Sequence, residues 1–271
     1  MTINNIYQGD ALNLLKELPD NSVDLVITSP PYSTLKTYID DPGIHPDNYV
    51  DWFLPICKEI CRVIKPTGSF ILNINDKVEN RLRHPYVYDL ISELHKKTDL
   101  KMFERLFWNK LKSLPNRNRF GDRIEYIFWF VKSKDFYFNI DNLRVPYSQK
   151  SITRMKKPLK KRFARTEGDE NVEYKDWAPN PNGALPTTLI NISSESKRIS
   201  SNHVAVYPIE LVKYLLSGST KEGDLVLDPF IGSGTTAMAC KEMSRNYIGF
   251  DIQEEYVNFT KERLYGDKII S

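Results

Sequence analysis

The chain has 271 residues, of which 41% are hydrophobic, and it is therefore long enough for one large core, with or without an inserted segment. Its formal net charge of +3 is too small to indicate a nucleic-acid partner by itself, so the distribution of charge must decide that question. The sequence has no apolar run of membrane-spanning length, and residues 1–5 lack the pattern of an export signal, which argues against membrane and secreted classes and predicts a cytoplasmic protein.

The first predicted elements are a strand, a helix and a second strand. Residues 23–28 have the apolar run of a buried strand, which must stop at a Ser-Pro-Pro turn because proline cannot continue a central ladder. Residues 49–64 have the spacing of an amphipathic helix that ends at residues 65–68, and residues 69–74 form the next strand. A helix between two strands predicts a parallel crossover.

The middle of the chain predicts more sheet and then an irregular insertion. A strand pair is expected at residues 102–108 and 124–131, and residues 136–138 extend the sheet. From residue 147 to residue 200 the periodicity fades, and prolines, asparagines, serines and basic residues dominate. We interpret this segment as an inserted recognition element. The domain that carries it then comprises residues 1–146 and 201–271.

Positive charge is concentrated at the start of this insertion. Between Asp141 and Glu167 there is no acidic residue, whereas basic residues are frequent: Arg144, Lys150, Arg154, Lys156, Lys157, Lys160, Lys161, Arg162 and Arg165. From the charge alone, a phosphate-binding surface and a solvated loop explain the stretch equally well. Trp177, in the insertion, is a candidate for base or groove contact. Lys110, in a polar loop between two predicted strands, is a candidate for lining a flipped base or touching phosphate, and a solvated hairpin explains its position at least as well.

After the insertion, helices and strands alternate. The predicted order is a helix at 209–216, a strand at 225–228, a helix at 235–243, a strand at 247–250 and a helix at 254–264. This alternation predicts an α/β fold.

A glycine-containing loop follows the strand that ends at Asp228. Gly232 and Gly234 let the backbone approach a ligand closely, and the helix start near Thr235 offers amides to a carboxylate. Asp251, at the end of the next strand, is placed to accept hydrogen bonds from a ribose diol. The spacing is not that of the dinucleotide fingerprint, and such a loop alone also fits a tight turn. The acids at two successive strand ends favour a ligand site.

The turn Thr28-Ser29-Pro30-Pro31-Tyr32 offers hydrogen-bond acceptors and an aromatic face to a planar ring that bears an amino group. Together with the glycine loop, it suggests transfer of a group onto a base amine.

The cysteines and histidines indicate neither a disulfide framework nor a metal site. Cys57 and Cys61 lie four residues apart on one predicted helix, and we interpret them, with Cys240, as ordinary core residues. The four histidines, at 45, 84, 95 and 203, lack ligand spacing, and we predict no metal.

Taken in order, these motifs resemble the amino-directed DNA methyltransferases, and specifically the N4-cytosine members with a Ser-Pro-Pro-Tyr motif. The catalytic half precedes the cofactor half, as in the arrangement called the beta class. The resemblance rests on Gly9-Asp10, Leu18 to Asp24, Thr28 to Tyr32, Arg62 to Gly68, Trp108-Asn109-Lys110, Glu125-Tyr126-Ile127, Tyr207-Pro208, Asp228 to Thr236 and Arg245 to Asp251. It implies a Rossmann-like methyltransferase fold: a twisted, mostly parallel sheet with helices on both faces, plus the recognition insertion.

The resemblance also implies S-adenosylmethionine as the cofactor. Asp10 would bond its adenine amino group, Asp251 its ribose, and Phe230 with the glycine loop its methionine part; Asp228 would support that loop and Pro208 would line the other side. The cofactor-binding candidates are Asp10, Thr28, Pro208, Asp228, Phe230, Gly232, Ser233, Gly234, Thr235, Thr236 and Asp251.

The catalytic candidates are Ser29, Pro30, Pro31 and Tyr32. The exocyclic amine of cytosine is a poor nucleophile because its lone pair is delocalised into the ring. The hydroxyl of Ser29 and the carbonyl of Pro30 would accept from its two hydrogens and favour the pyramidal form that develops in the reaction. Because a paired base cannot reach such a pocket, the target would rotate out of the duplex and stack on Tyr32.

The identity of the modified base depends on Ser29. Adenine-methylating relatives usually have aspartate there, and relatives that act on glutamine side chains of proteins have asparagine, so serine indicates cytosine N4. Two alternatives stay open: an adenine-N6 methyltransferase, and a DNA-binding protein that holds the cofactor without transfer. Methylation at cytosine carbon 5 is disfavoured, because it requires a cysteine beside the base.

The resemblance implies double-stranded DNA as the partner and a restriction-modification system as the setting, with an endonuclease that acts on the same site. Some relatives with this motif order pair as homodimers. The DNA-binding candidates are Lys110, Arg154, Lys156, Lys157, Lys160, Lys161, Arg162 and Trp177.

Overall fold

The computed structural model describes residues 1–33, 43–111, 119–155, 179–194 and 208–266, which form alternating strands and helices. The strands are β1 (Asn5–Gln8), β2 (Val23–Thr28), β3 (Ile64–Ile74), β4 (Val78–Glu79), β5 (Leu82–Arg83), β6 (Lys101–Asn109), β7 (Ile124–Val131), β8 (Leu189–Asn191), β9 (Leu225–Asp228) and β10 (Asn246–Asp251). The helices are α1 (Ala11–Lys16), α2 (Pro46–Val63), α3 (Tyr86–Lys97), α4 (Gln149–Met155), α5 (Ile209–Ser219), α6 (Thr235–Glu242) and α7 (Glu254–Tyr265), with a short 3-10 helix at Ile140–Leu143.

Among the described residues, eight strands form one sheet in the order β1-β10-β9-β2-β3-β7-β6-β8, and β4 pairs with β5 separately. The neighbours from β1 to β3 are parallel, whereas β7 runs antiparallel to both β3 and β6. The predicted α/β fold with a mostly parallel sheet is confirmed. The parallel crossover between β2 and β3 is also confirmed.

Each face of the sheet is covered by its own helices. In β2, Val26 joins the core formed with α1, α2 and α3, while Leu25 and Ile27 join the core formed with α5, α6 and α7. Adjacent residues of a strand point to opposite faces, so a strand covered on both faces must be apolar throughout. This explains why residues 23–28 have an almost continuous apolar run.

Most of the predicted elements are present, with ends shifted by a few residues. The largest shift is in β3, which begins at Ile64 and not at residue 69. The chain enters the ladder directly after α2, because Val23 pairs with Ile64, and the register then shifts before Leu25 pairs with Ser69. The predicted turn at 65–68 is therefore an irregularity inside the strand.

The prediction that residues 136–138 extend the sheet is wrong, because they form no strand. Two of their aromatic rings pack on side chains of β6 and β7: Phe136 and Phe138 lie 4.6 and 5.0 Å from Phe103, centroid to centroid, and Phe138 lies 5.5 Å from Trp129. Consecutive aromatic residues favour a strand, but here their rings pack without forming a ladder.

The chain divides into two compact units, Met1–Phe138 with Thr188–Ser271, and Asn139–Thr187. Within the second unit, Arg144 donates to the Gly183 carbonyl at 2.9 Å and the Tyr147 hydroxyl donates to the Asn180 carbonyl at 3.2 Å. The role of the insertion at 147–200 in recognition stays a prediction. Within the described residues, no helix is both long and apolar enough to cross a membrane.

Candidate active site

The strand order changes direction between β2 and β9, since β3 follows on one side and β10 on the other. In open α/β sheets, ligands bind outside the carboxyl ends of the strands at such a switch point. Thr28 ends β2 and Asp228 ends β9, and the Thr28 hydroxyl donates to Asp228 Oδ1 at 2.7 Å. The structure therefore brings together the two motifs that the sequence places far apart.

Asp228 is a buried carboxylate that binds several donors of the site. Besides Thr28, the Phe230 amide donates to Oδ1 at 3.1 Å and the Thr236 hydroxyl donates to Oδ2 at 2.6 Å. Only 1% of Asp228 is exposed, so each of these bonds is shielded from water. The glycine loop is thus attached at both of its ends to one carboxylate.

Both glycines of the loop adopt left-handed backbone angles, with φ of +51° at Gly232 and +83° at Gly234. Gly234 caps the start of α6, and its surroundings are tight, because a Cβ there would lie 2.5 Å from Thr260 Cγ2. At Gly232 the nearest atom to such a Cβ is the Phe230 carbonyl oxygen, at 3.9 Å. The loop therefore requires glycine at 234 for space as well as for conformation.

Gly234→Ala should destabilise the protein by about 3 kcal/mol or more, whereas Gly232→Ala, which strains the backbone in the same way, should cost about 1–2 kcal/mol. The free energies of unfolding in urea measure both. Thr260→Ser removes the clashing methyl group and should recover part of the Gly234→Ala loss. Equal losses for the two alanine variants would contradict the steric argument.

The next strand ends carry Asp251 and Asp10. Asp251 Oδ2 accepts from the Gly232 amide at 3.0 Å and Oδ1 from the Gln253 amide at 2.9 Å, and burial raises the pKa of this carboxyl to about 6. The Gly9 amide donates to the Asp251 carbonyl at 2.9 Å, which places Asp10 beside it at the start of α1. The two acids predicted to bind one ligand therefore stand at adjacent strand ends.

An aromatic group borders the loop. The ring of Phe230 lies 5.7 Å from that of Trp52 and 6.0 Å from that of Phe53, centroid to centroid. Trp108 and Trp129 are buried, whereas Trp52 is only half-buried and borders the loop beside Phe230.

Hydrogen bonds made by Tyr49 and by the adjacent Ser33 hold the Ser-Pro-Pro-Tyr turn in place. The Tyr49 hydroxyl donates to the Pro31 carbonyl at 3.0 Å, and the Ser33 hydroxyl donates to the Ile44 carbonyl at 2.6 Å. Within the turn, Ser29 Oγ lies 3.1 Å from Tyr32 Oη. The polar groups of the turn are thereby fixed relative to each other and to α2.

Three polar residues complete this side of the site: Lys110, which was a candidate from its sequence, Glu125, which belonged only to the family motifs, and Asn73, which the sequence did not single out. The Tyr32 hydroxyl donates to Glu125 Oε2 at 2.9 Å, with Asn73 Oδ1 at 3.3 Å, and Lys110 donates to Glu125 Oε1 at 3.0 Å. Burial, reinforced by the Glu125 charge, raises the pKa of Tyr32 well above its usual value, so its hydroxyl keeps its proton at neutral pH. Lys110, a candidate for lining the flipped base or touching phosphate, forms an ion pair with Glu125 at 3.0 Å, and its role in base or phosphate contact stays a prediction.

The remaining predicted residues are more dispersed. Pro208 is buried at the start of α5, Ser233 is buried in the loop, Thr235 is buried at the start of α6, and Arg154 is exposed on α4. Six DNA-binding candidates lie outside the described residues: Lys156, Lys157, Lys160, Lys161, Arg162 and Trp177.

The cysteines lie in helices as predicted, Cys57 and Cys61 in α2 and Cys240 in α6. All are buried without a disulfide, and burial raises the pKa of each thiol. Thiols in this state are poor nucleophiles. Within the described part of the chain, no group of three or more His, Cys, Asp or Glu side chains is arranged to hold a metal ion.

Comparison with known proteins gives a consistent result. The model of a family described as DNA methylase matches residues 23–262. The Type II methyltransferase M.BglII of Bacillus subtilis is 31% identical over 267 residues, which cover 98% of this chain and 70% of that protein.

Solved structures show the same fold. The cytosine-N4-specific PvuII DNA methyltransferase superposes with a TM-score of 0.73 at 24% identity, over 98% of this chain and 87% of the other. The M1.HpyAVI–SAM complex superposes with a TM-score of 0.59 at 24% identity, and the superposition covers 96% of this chain and 98% of the other.

Proposed function

Since this chain belongs to the DNA methylase family, we propose that it transfers a methyl group from S-adenosylmethionine to the N4 amino group of a cytosine in duplex DNA. The observation that carries the proposal is the hydrogen bond from Thr28 to Asp228, which joins the Ser-Pro-Pro-Tyr turn to the glycine loop. A reaction between a bound base and a bound donor requires both to lie in one pocket.

The residues at the strand ends fit S-adenosylmethionine. Asp251 and Asp10 supply carboxylates for the ribose hydroxyls and the adenine amine, and the left-handed Gly232 leaves open space beside the loop backbone. Phe230 and Trp52 add an aromatic wall. When bound, the cofactor supplies a methyl group made electrophilic by its sulfonium.

The turn would hold the target amine. The Ser29 oxygen and the Pro30 carbonyl would accept from its two hydrogens and favour the pyramidal nitrogen that makes the lone pair available. The half-buried ring of Tyr32 would stack on the base, which must leave the duplex to reach this depth. The stiff Pro30-Pro31 pair keeps these groups in place.

Cytosine N4 is chosen over adenine N6 because serine stands at position 29. Methylated duplex DNA digested to nucleosides should contain N4-methylcytosine. Detection of N6-methyladenine would establish the adenine alternative, and absence of any methylated nucleoside, with the cofactor and DNA bound, would establish a binding protein without transfer.

The biological setting follows from the same proposal. M.BglII is named a Type II methyltransferase, and by likeness we place this chain in a restriction-modification system in the beta-class arrangement, with a cognate endonuclease as partner. The basic residues between 144 and 165 would contact phosphates, and the segment at 147–200 would read the recognised sequence.

The raised pKa of Asp251 predicts a pH dependence of cofactor affinity. The carboxylate form accepts hydrogen bonds from hydroxyls, and the pKa is about 6. Affinity for S-adenosylmethionine should therefore fall about tenfold between pH 7 and pH 5. Isothermal titration calorimetry at both values measures this.

Asp251→Asn binds more weakly but should lose the pH dependence, because the amide does not titrate. Stability of the unliganded protein should respond in the opposite sense: burial disfavours the ionised form, so this contribution is present below the ordinary value of 3.8 and is lost as the pH rises through about 6. Equal affinity of the wild type at pH 5 and pH 7 would exclude Asp251 from ribose binding.

A further inference from the structure

A continuous chain of polar contacts runs from the catalytic turn to the sheet behind it. Ser29 Oγ lies 3.1 Å from Tyr32 Oη, Tyr32 Oη lies 2.9 Å from Glu125 Oε2, and Glu125 Oε1 lies 3.0 Å from Lys110 Nζ. The Glu125 and Lys110 side chains are only 14% and 23% exposed, so solvent screens this chain weakly.

The direction of each hydrogen bond in this series of contacts follows from the carboxylate of Glu125 and the ammonium of Lys110 at its end. An ionised carboxylate only accepts, and an ammonium only donates. Tyr32 must therefore donate to Glu125. The nearby Asn73 does not change this, because its amide nitrogen donates to the Tyr126 carbonyl at 3.1 Å, which turns its oxygen toward Tyr32.

The same logic determines how Ser29 is oriented. The single hydroxyl hydrogen of Tyr32 is committed to Glu125, so in the contact between the two hydroxyls Ser29 is the donor and Tyr32 the acceptor. With its hydrogen engaged in this way, the Ser29 oxygen presents lone pairs to an approaching N–H group. A negative charge at the end of such a chain also strengthens each bond in it.

We propose that Glu125 is a positioning residue that acts through the Tyr32 hydroxyl to make Ser29 a hydrogen-bond acceptor for the target amine. This inference rests on the proposed function, because it requires an amine at Ser29. Lys110 orients the carboxylate by binding its other oxygen. In this role Glu125 acts without contacting the base.

A double-mutant cycle between Tyr32→Phe and Glu125→Gln tests the inference. Glu125→Gln removes the charge and should slow single-turnover methyl transfer about tenfold, with a partial effect because Asn73 remains as a neutral acceptor. If Glu125 acts through the Tyr32 hydroxyl, adding Glu125→Gln to Tyr32→Phe should leave the rate within about twofold of Tyr32→Phe alone.

A purely structural role of the pair between Glu125 and Lys110 would survive in the Tyr32→Phe background, so the two effects would then multiply. Multiplying effects, or a Glu125→Gln variant with the wild-type rate, would overturn the inference. Affinities for S-adenosylmethionine and duplex DNA should stay within about twofold of wild type, which places the effect on the rate and not on binding.

Glu79→Gln is the matched control, since Glu79 also pairs with a lysine, Lys77, at 3.1 Å, but lies on the short β4 strand. Thermal unfolding of every variant checks the fold. N6-methyladenine as product would correct the assigned base and leave the cycle measurable, whereas a wild-type chain that transfers no methyl group would overturn both the proposed function and this inference.

Discussion

Ser29→Ala should slow single-turnover methyl transfer by about 10²–10³-fold, the range found when one fixed hydrogen-bond partner of a developing charge is removed. The substitution deletes the acceptor for one amine hydrogen. It leaves the Tyr32 hydroxyl bonded to Glu125 at 2.9 Å and the Tyr49 hydroxyl bonded to Pro31 at 3.0 Å, so the turn keeps its support. Rapid mixing of enzyme, labelled cofactor and duplex DNA measures the rate.

The loss of activity in Ser29→Ala should appear in the rate of methyl transfer, whereas the affinities for the cofactor and for DNA should stay within about twofold of wild type. Ser193→Ala is the control, because Ser193 is exposed and its hydroxyl donates to the neighbouring Ser194 carbonyl at 3.3 Å. Unchanged methyl incorporation by Ser29→Ala would remove Ser29 from the mechanism, and Ser29 is the residue on which the choice of cytosine rests.

Much of the cofactor side of the site could be predicted from the sequence, because its residues follow strands in a parallel sheet. The carboxyl ends of parallel strands meet at one edge, so Asp228 and Asp251 had to lie close together once the strands were assigned. The Thr28 contact with Asp228 required in addition that β2 and β9 be neighbours, a pairing that no pattern in the sequence specifies and that the structure shows.

The convergence of the polar residues behind the turn could not be predicted, for a physical reason. These residues come from three different places: Asn73 from β3, Glu125 from β7, and Lys110 from the position directly after β6. They converge because β7 runs antiparallel to both neighbours, which brings its first residues to the same edge of the sheet. A single Glu within an apolar strand has no periodic signal of its own. The wrong strand at 136–138 has a different cause: three consecutive aromatic residues have high strand propensity, but here two of their rings pack on Phe103 without joining the sheet.

Asp228→Ala should have the largest effect on stability, about 3–5 kcal/mol, because it leaves buried donors without their acceptor and opens a cavity. These donors are the hydroxyls of Thr28 and Thr236 and the amide of Phe230, at 2.6 to 3.1 Å from the carboxylate. The glycine loop would lose its attachment at both ends. Urea unfolding gives the stability, and calorimetry should show a parallel loss of S-adenosylmethionine affinity.

Asp228→Asn keeps the shape of the side chain but replaces one acceptor oxygen with an amide group, so it tests the hydrogen bonds separately from the cavity. The remaining oxygen can still accept from Thr28 and Phe230, and the Thr236 hydroxyl can rotate to accept from the new amide, so the cost should be only about 1–2 kcal/mol. Asp89→Ala, at an exposed position of α3, should change stability by less than about 0.5 kcal/mol. If Asp228→Ala proved as stable as Asp89→Ala while retaining cofactor affinity, Asp228 would not be what joins the catalytic turn to the glycine loop.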